Sequence, residues 1–181
     1  MSTKINRVVT TVVALACSAA LIGCSGGEES SQRDDDGARM ARNLANFDDL
    51  DFNVFTGQKW DELQRSHAAN ITVHWPDGHS TQGIEKHIED LKALFAWAPD
   101  TRILEHPIKV TQGDWTAVVG VMEGTFTLPM AVGYGKTIAP TGKAFKLRMA
   151  TFGRWNSQGT MDEEYLFWDN QEFMRQIGVG Q

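Results

Sequence analysis

The residues with most chemistry to offer lie in one stretch, Ile71 to His79, which reads I-T-V-H-W-P-D-G-H. Strand alternation puts Ile71, Val73 and Trp75 on one side and Thr72 and His74 on the other. Pro76 withdraws a ladder donor, and Asp77-Gly78 turns the chain. The imidazoles of His74 and His79, the indole of Trp75 and the carboxylate of Asp77 therefore meet at a strand terminus, where small-molecule sites are often built. An imidazole titrates near neutrality and a neighbouring carboxylate orients it, so the stretch reads as an acid–base set. A wet strand-to-turn junction is the alternative reading. His74, His79 and His87 with Asp77 also have the donor types of a metal site. They lack the tight H-x-x-x-H spacing of a helical ligand pair, and no metal is expected. Ser66 and His67 do not read as a nucleophile and its base, because adjacent side chains on a helix diverge.

The elements that must position these residues follow from periodicity. Asn43 to Val54 reads as a helix, with Leu44, Phe47, Leu50 or Asp51, and Val54 at helical steps, and Gly57 ends it. Gln58 to His67 reads as a second, short helix with Trp60, Leu63 and His67 on one face. Asn70 breaks the pattern before the strand. Ile84, Ile88, Leu91, Leu94, Phe95 and Ala98 define a third helix that Pro99 stops. His87 falls on its apolar face, either as a satisfied core residue or as a pocket group. Strands then dominate: Thr101 to Thr111 with a kink at His106-Pro107, Trp115 to Leu128 after a Gln112-Gly113-Asp114 turn, Phe145 to Trp155, and Thr160 to Asp169. Glu123 shares a face with Val119 and Val121, as a strand-edge charge or a pocket carboxylate. Gly120 and Gly124 fit bends in a long strand. Asn170 to Ile177 closes the chain as a helix capped by Gly178. The order predicts an α+β fold, with helices packed on one face of a strongly curved sheet and a cavity between them.

The first 23 residues stand outside this pattern. Lys4 and Arg7 precede an apolar run, Val8 to Ile22, too short to be a good membrane span. The run closes in Leu21-Ile22-Gly23-Cys24, which resembles a bacterial lipobox and implies cleavage before Cys24 and its acylation. An ordinary signal peptide with an incidental cysteine is the other reading. Ser25 after the cysteine favours the outer membrane in a host that has one, so the chain is expected in the cell envelope, anchored through lipid. Cys17 would leave with the signal. No thiol would remain for a disulfide, a nucleophile or a cysteine-type zinc site. Loss of Lys4 and Arg7 takes the formal charge from −6 to −8, which argues against nucleic acid and against adsorption to anionic lipid. Residues 24–39, rich in Ser, Gly, Glu and Asp, read as a solvated tether. Residues 40–181 hold all 6 Trp and 9 Phe, enough for one sizeable domain.

Several local motifs carry a family likeness. The segments SHAANITVHWPDG, GIEKHIEDLKALF, HPIKVTQGDWTAVVGVMEGTF, PTGKAFKLRMATF and EEYLFWDNQEFMRQIG resemble the SnoaL-like polyketide cyclases, including members labelled ester cyclase. The resemblance covers nearly the whole mature domain. It implies the cone-shaped fold shared with nuclear transport factor 2, scytalone dehydratase and ketosteroid isomerase, no metal or organic cofactor, and often a homodimer packed through the outer sheet face. The family's cyclases close a ring by intramolecular aldol addition, using an Asp on the last strand and a His on the strand before it. Those positions fall on Leu166 and Thr151 in this chain, and Leu cannot accept a proton. Glu164 shares a face with Leu166 and is the replacement carboxylate, with His74, His79 and Asp77 at the pocket mouth. Trp75, His87, Glu123, Met149, Thr151, Leu166 and Trp168 are expected to line the pocket, and the ligand is expected to be a small apolar molecule with a few oxygens. Two functions fit: cofactor-free acid–base catalysis on a carbonyl or ester compound, or ligand binding without chemistry.

Overall fold

The computed structural model describes residues 26–180. The signal segment and Cys24 lie outside the described residues. Helix α1 spans Gly26–Asp49, so the stretch read as a tether is helical from Gly26. Its polar run contains no proline, and Arg39 pairs with Asp36 one turn away and with Asp114 at a strand turn. Residues 32–38 are nonetheless exposed, as their composition requires.

α1 runs into a π-helical turn, Leu50–Phe55. Helical steps predict Leu50 or Asp51 on the inward face. The wider turn buries both, together with Val54 and Phe55. A short 3₁₀ helix, Trp60–Arg65, follows in place of the longer second helix. Strand β1 begins at His67, four residues earlier than Ile71, and ends at His74. The helical reading of Trp60, Leu63 and His67 fails because the last of them already belongs to the sheet.

β2 (Ser80–Gln82), helix α2 (Ile84–Phe95), β3 (Arg102–Ile103), β4 (Ile108–Gln112), β5 (Trp115–Thr125), β6 (Met130–Ala131), β7 (Thr137–Ile138), β8 (Ala144–Trp155), β9 (Met161–Phe167) and helix α3 (Asn170–Ile177) complete the order. The main sheet runs β2-β1-β9-β8-β5-β3, with β4 also on β5. Its ladders are antiparallel except that β1 lies parallel to β9. The kink at His106-Pro107 separates β3 from β4, and both pair with β5.

Alternation along β8 is strict. Phe145, Leu147, Met149, Thr151 and Trp155 are buried, and Lys146, Arg148, Phe152 and Arg154 are exposed. The inward rows of β5, β8 and β9 meet α1, α2 and α3 to form the core. The outward rows leave Ile108, Val110, Trp115, Phe152 and Phe167 exposed. α3 is fixed at both ends: Asp169 accepts from the Glu172 amide at 2.9 Å, and Gly178 takes the left-handed conformation at φ 78°. Gly124 is required for close packing: a Cβ there would stand 2.7 Å from Phe145 Cζ. A Cβ on Gly120 would be tight only against Ile103, at 3.3 Å. This is an α+β fold with a curved, mainly antiparallel sheet and helices on its inner face, and no described helix is long and apolar enough to cross a membrane.

Candidate functional site

The helices and the inner sheet face enclose a cavity of about 120 Å³. Apolar side chains make most of its wall, among them Leu50, Phe55, Leu63, Met122, Met149, Leu166, Trp168 and Phe173. Four ionisable groups also open onto it: Asp51, His67, His87 and Glu164.

Each arrives from a different element. Glu164 comes from β9, opposite Val73 of β1. His67 comes from the start of β1, where the register shifts between His67 and Thr72. His67 shares the phase of Ile71 and Val73, so alternation points it inward with them. His87 comes from the apolar stripe of α2, and Asp51 from the π-helical turn.

His67, His87 and Glu164 converge. Glu164 Oε2 lies 3.6 Å from His67 Nε2 and 3.6 Å from His87 Nε2, too far for a hydrogen bond. The two imidazoles stack with centroids 5.2 Å apart. Glu164 Oε2, His67 Nε2 and His87 Nδ1 are buried and have no hydrogen-bond partner. Burial pushes the His87 imidazolium down to about 4, so the ring is neutral at neutral pH. Burial acts to raise Glu164 as well, but His67 beside it outweighs burial and holds the carboxyl below its ordinary range. Among the described residues these three also offer donor atoms within 4.8 Å of one another, the spacing of a metal-ligand set.

Asp51 belongs to a second array. Its Oδ2 is 2.8 Å from His106 Nε2, and His106 Nδ1 is 2.7 Å from Asp48 Oδ1. Lys109 then binds Asp48 at 2.6 Å near the surface. Burial raises the Asp51 carboxyl above its ordinary range, against the opposing pull of His106. Burial acts to lower His106, but its bonds to Asp51 and Asp48 prevail and raise it.

The expected site residues divide. Glu164, His87, Trp75, Met149, Leu166 and Trp168 line the cavity. Thr151 is buried on the inner face but is not among the lining residues. Glu123 faces outward, where Arg102 binds it at 2.8 Å and Lys146 lies at 3.5 Å, so it is a strand-edge charge and no pocket group. His74 is also on the outer side, stacked on Tyr165 and bonded to Ser80 and Glu163. Strand alternation sends it away from its neighbours Val73 and Trp75. Asp77 and His79 pair with each other on the exposed turn, and His79 stacks on Trp75 with centroids 5.6 Å apart. They stand outside the cavity wall.

Sequence reasoning missed His67, Asp51 and His106. Their signals were present: His67 on a face with Trp60 and Leu63, Asp51 at an apolar step, and His106 at a strand break. Each had a plainer explanation in one dimension.

The profile of the SnoaL-like polyketide cyclases matches residues 49–177, which include every cavity-lining side chain. The chain belongs to the SnoaL-like polyketide cyclase family. Solved structures agree in fold. A protein of Jannaschia sp. CCS1, proposed to be a SnoaL-like polyketide cyclase, superposes with a TM-score of 0.67 at 19% identity, over 78% of this chain and 95% of that one. IdmH of Streptomyces antibioticus, proposed to be a polyketide cyclase, gives 0.63 at 21% identity, over 76% and 99%. A proposed polyketide cyclase of Xanthomonas campestris pv. campestris gives 0.66 at 13% identity, over 77% and 98%. Comparison with curated proteins gives no match. Within this SnoaL-like frame the wall carries Leu166 where the resemblance implied a catalytic Asp, and the buried carboxylates are Glu164 and Asp51.

Proposed function

We propose that this SnoaL-like protein is an envelope lipoprotein that transfers a proton on a small, largely apolar carbonyl or ester compound held in the cavity. One observation carries the reading: two buried carboxylates open onto one apolar cavity, Asp51 bonded to His106 and so to Asp48, and Glu164 beside two imidazoles. Burial raises the Asp51 carboxyl, and we assign it the part of acid. The Glu164 carboxyl is held down, and we assign it the part of base. Paired titratable groups driven apart in this way mark the acid and base of a site. The Asp48–His106–Asp51 chain supplies a path by which Asp51 exchanges its proton with solvent. The apolar wall excludes water and strengthens the electrostatic interactions within the cavity. A cavity of about 120 Å³ is close to the size that accommodates one small ring, so the ligand is a compact molecule or a ring-sized part of a larger one.

A second reading has its own support. Leu166 in the cavity wall cannot move a proton, and a lipid-tethered protein has no evident access to a cytoplasmic polyketide pathway. In that case the cavity binds the same class of compound without chemistry. Native mass spectrometry of protein taken from its own host, followed by turnover of the recovered compound, separates the two. Under the enzyme reading Asp51→Asn and Glu164→Gln each lower kcat by about a hundredfold or more and change KM little. A bound compound that wild-type protein returns unchanged at every pH would leave only the binding function.

A further inference from the structure

We propose that His67, His87 and Glu164 bind one divalent transition-metal ion of the zinc class at the polar end of the cavity. Glu164 Oε2, His67 Nε2 and His87 Nδ1 are buried and not hydrogen-bonded, and Glu164 Oε2 lies 3.6 Å from His67 Nε2. Ser66 Oγ lies 2.8 Å from His67 Nδ1 and 3.2 Å from the Leu63 carbonyl oxygen, which holds the His67 ring with Nε2 toward Glu164. A buried carboxylate oxygen without a partner is costly unless something positive lies beside it.

A proton on His67 Nε2 or a metal ion meets that need, and the spacing of the donors favours the ion. Three donors at about 2.1 Å from one tetrahedral ion stand about 3.4 Å apart. Here Glu164 Oε2 is 3.6 Å from each imidazole Nε2. Two imidazoles and a carboxylate, with no thiolate, suit zinc or ferrous iron and leave coordination positions open. The open positions face the cavity, because all three side chains line it. Ser66 plays the outer part of such a site, since a ligating histidine donates its other N–H to a fixed acceptor. His74, His79 and Asp77, the set weighed from sequence, do not join it. A bound ion would polarise an oxygen of the compound in the cavity. That consequence rests on the reading given above; the binding of the ion does not. With the ion in place Glu164 is a ligand and gives up the part of base, while Asp51 keeps its part in proton transfer.

The test is a titration of the purified full chain, stripped with a chelator, with Co²⁺ and then Zn²⁺. One equivalent of Co²⁺ should bind and give the visible absorption of a low-coordinate site without a thiolate band. Zn²⁺ should displace it, and the melting temperature should rise with free metal by mass action. Glu164→Gln and His87→Ala should each weaken binding by at least about tenfold, and Ser66→Ala by about tenfold or more through the freed His67 ring. His79→Ala on the exposed turn should change nothing. Should Glu164→Gln fail to fold, the Ser66→Ala titration decides. Folded wild-type protein that takes up no Co²⁺, an uptake indifferent to Ser66→Ala or Glu164→Gln, or an uptake lost in His79→Ala would each overturn the proposal. Metal-free protein that still turns over its compound would show that a proton on His67 provides the charge, leaving the acid–base reading intact.

Discussion

Replacing Asp51 by Asn keeps the shape of the side chain and removes its ability to ionise. In the wild type Asp51 binds His106 at 2.8 Å, and Asp48 binds the other side of the same ring at 2.7 Å. A hydrogen bond to a charged group contributes about 1.5–3 kcal/mol, which is about 1–2 units on the affinity of His106 for its proton. His106 in Asp51→Asn should therefore titrate lower than in wild type. The sign for stability follows by linkage. Asp51 and His106 are both raised above their ordinary values of 3.8 and 6.5. A group raised in the folded state stabilises below its unfolded value, and that stability is lost as pH rises through the folded value. Wild-type stability should thus fall in two steps, one beginning above 3.8 from Asp51 and one above 6.5 from His106. Asp51→Asn removes the first step and moves the second toward 6.5. The assay is the melting temperature from about pH 4 to 8, paired with an NMR titration of His106. Superimposable profiles and an unmoved His106 resonance would refute the coupling of the array, and with it the proton path to Asp51.

Trp168→Ala should weaken binding of the compound recovered from the host by about 1–3 kcal/mol through lost buried area, measured by calorimetry. Phe47→Ala should cost about 3–5 kcal/mol in denaturant unfolding, since Phe47 is buried against Trp155 and the edge of His106. Glu123→Gln should change stability by less than about 1 kcal/mol and leave the cavity's ligand affinity untouched, because its ion pairs are at the surface. Cys24→Ser should leave an unprocessed or released protein with its fold intact, and a radioactive fatty acid should label the wild type alone.

Much of the architecture was legible in one dimension because burial imposes a period. The stripe of Ile84, Ile88, Leu91 and Phe95 specifies α2, and the alternation of Phe145, Leu147 and Met149 specifies β8. Glu164, His87, Trp75, Met149, Leu166 and Trp168 could be assigned to a cavity for the same reason: each sits on the inner phase of its element. The phase of Glu123 was equally legible, yet it led outward to Arg102 and Lys146. Apolar neighbours such as Val119 and Val121 do not distinguish the two faces of a sheet that is covered on one side and apolar in part on the other.

Tertiary structure alone decided the polar centre. The π-helical turn breaks the 3.6-residue count and carries Leu50 and Asp51 inward together. Strand β1 begins early enough to take in His67, which is in phase with Ile71 and Val73 and points inward with them. Asp51 and His106 are 55 residues apart and meet only because a strand break lies beside the end of α1. Periodicity reports which side of an element is buried. It carries no term for which buried groups of different elements meet, and that meeting determines their charge and hence what the cavity can do.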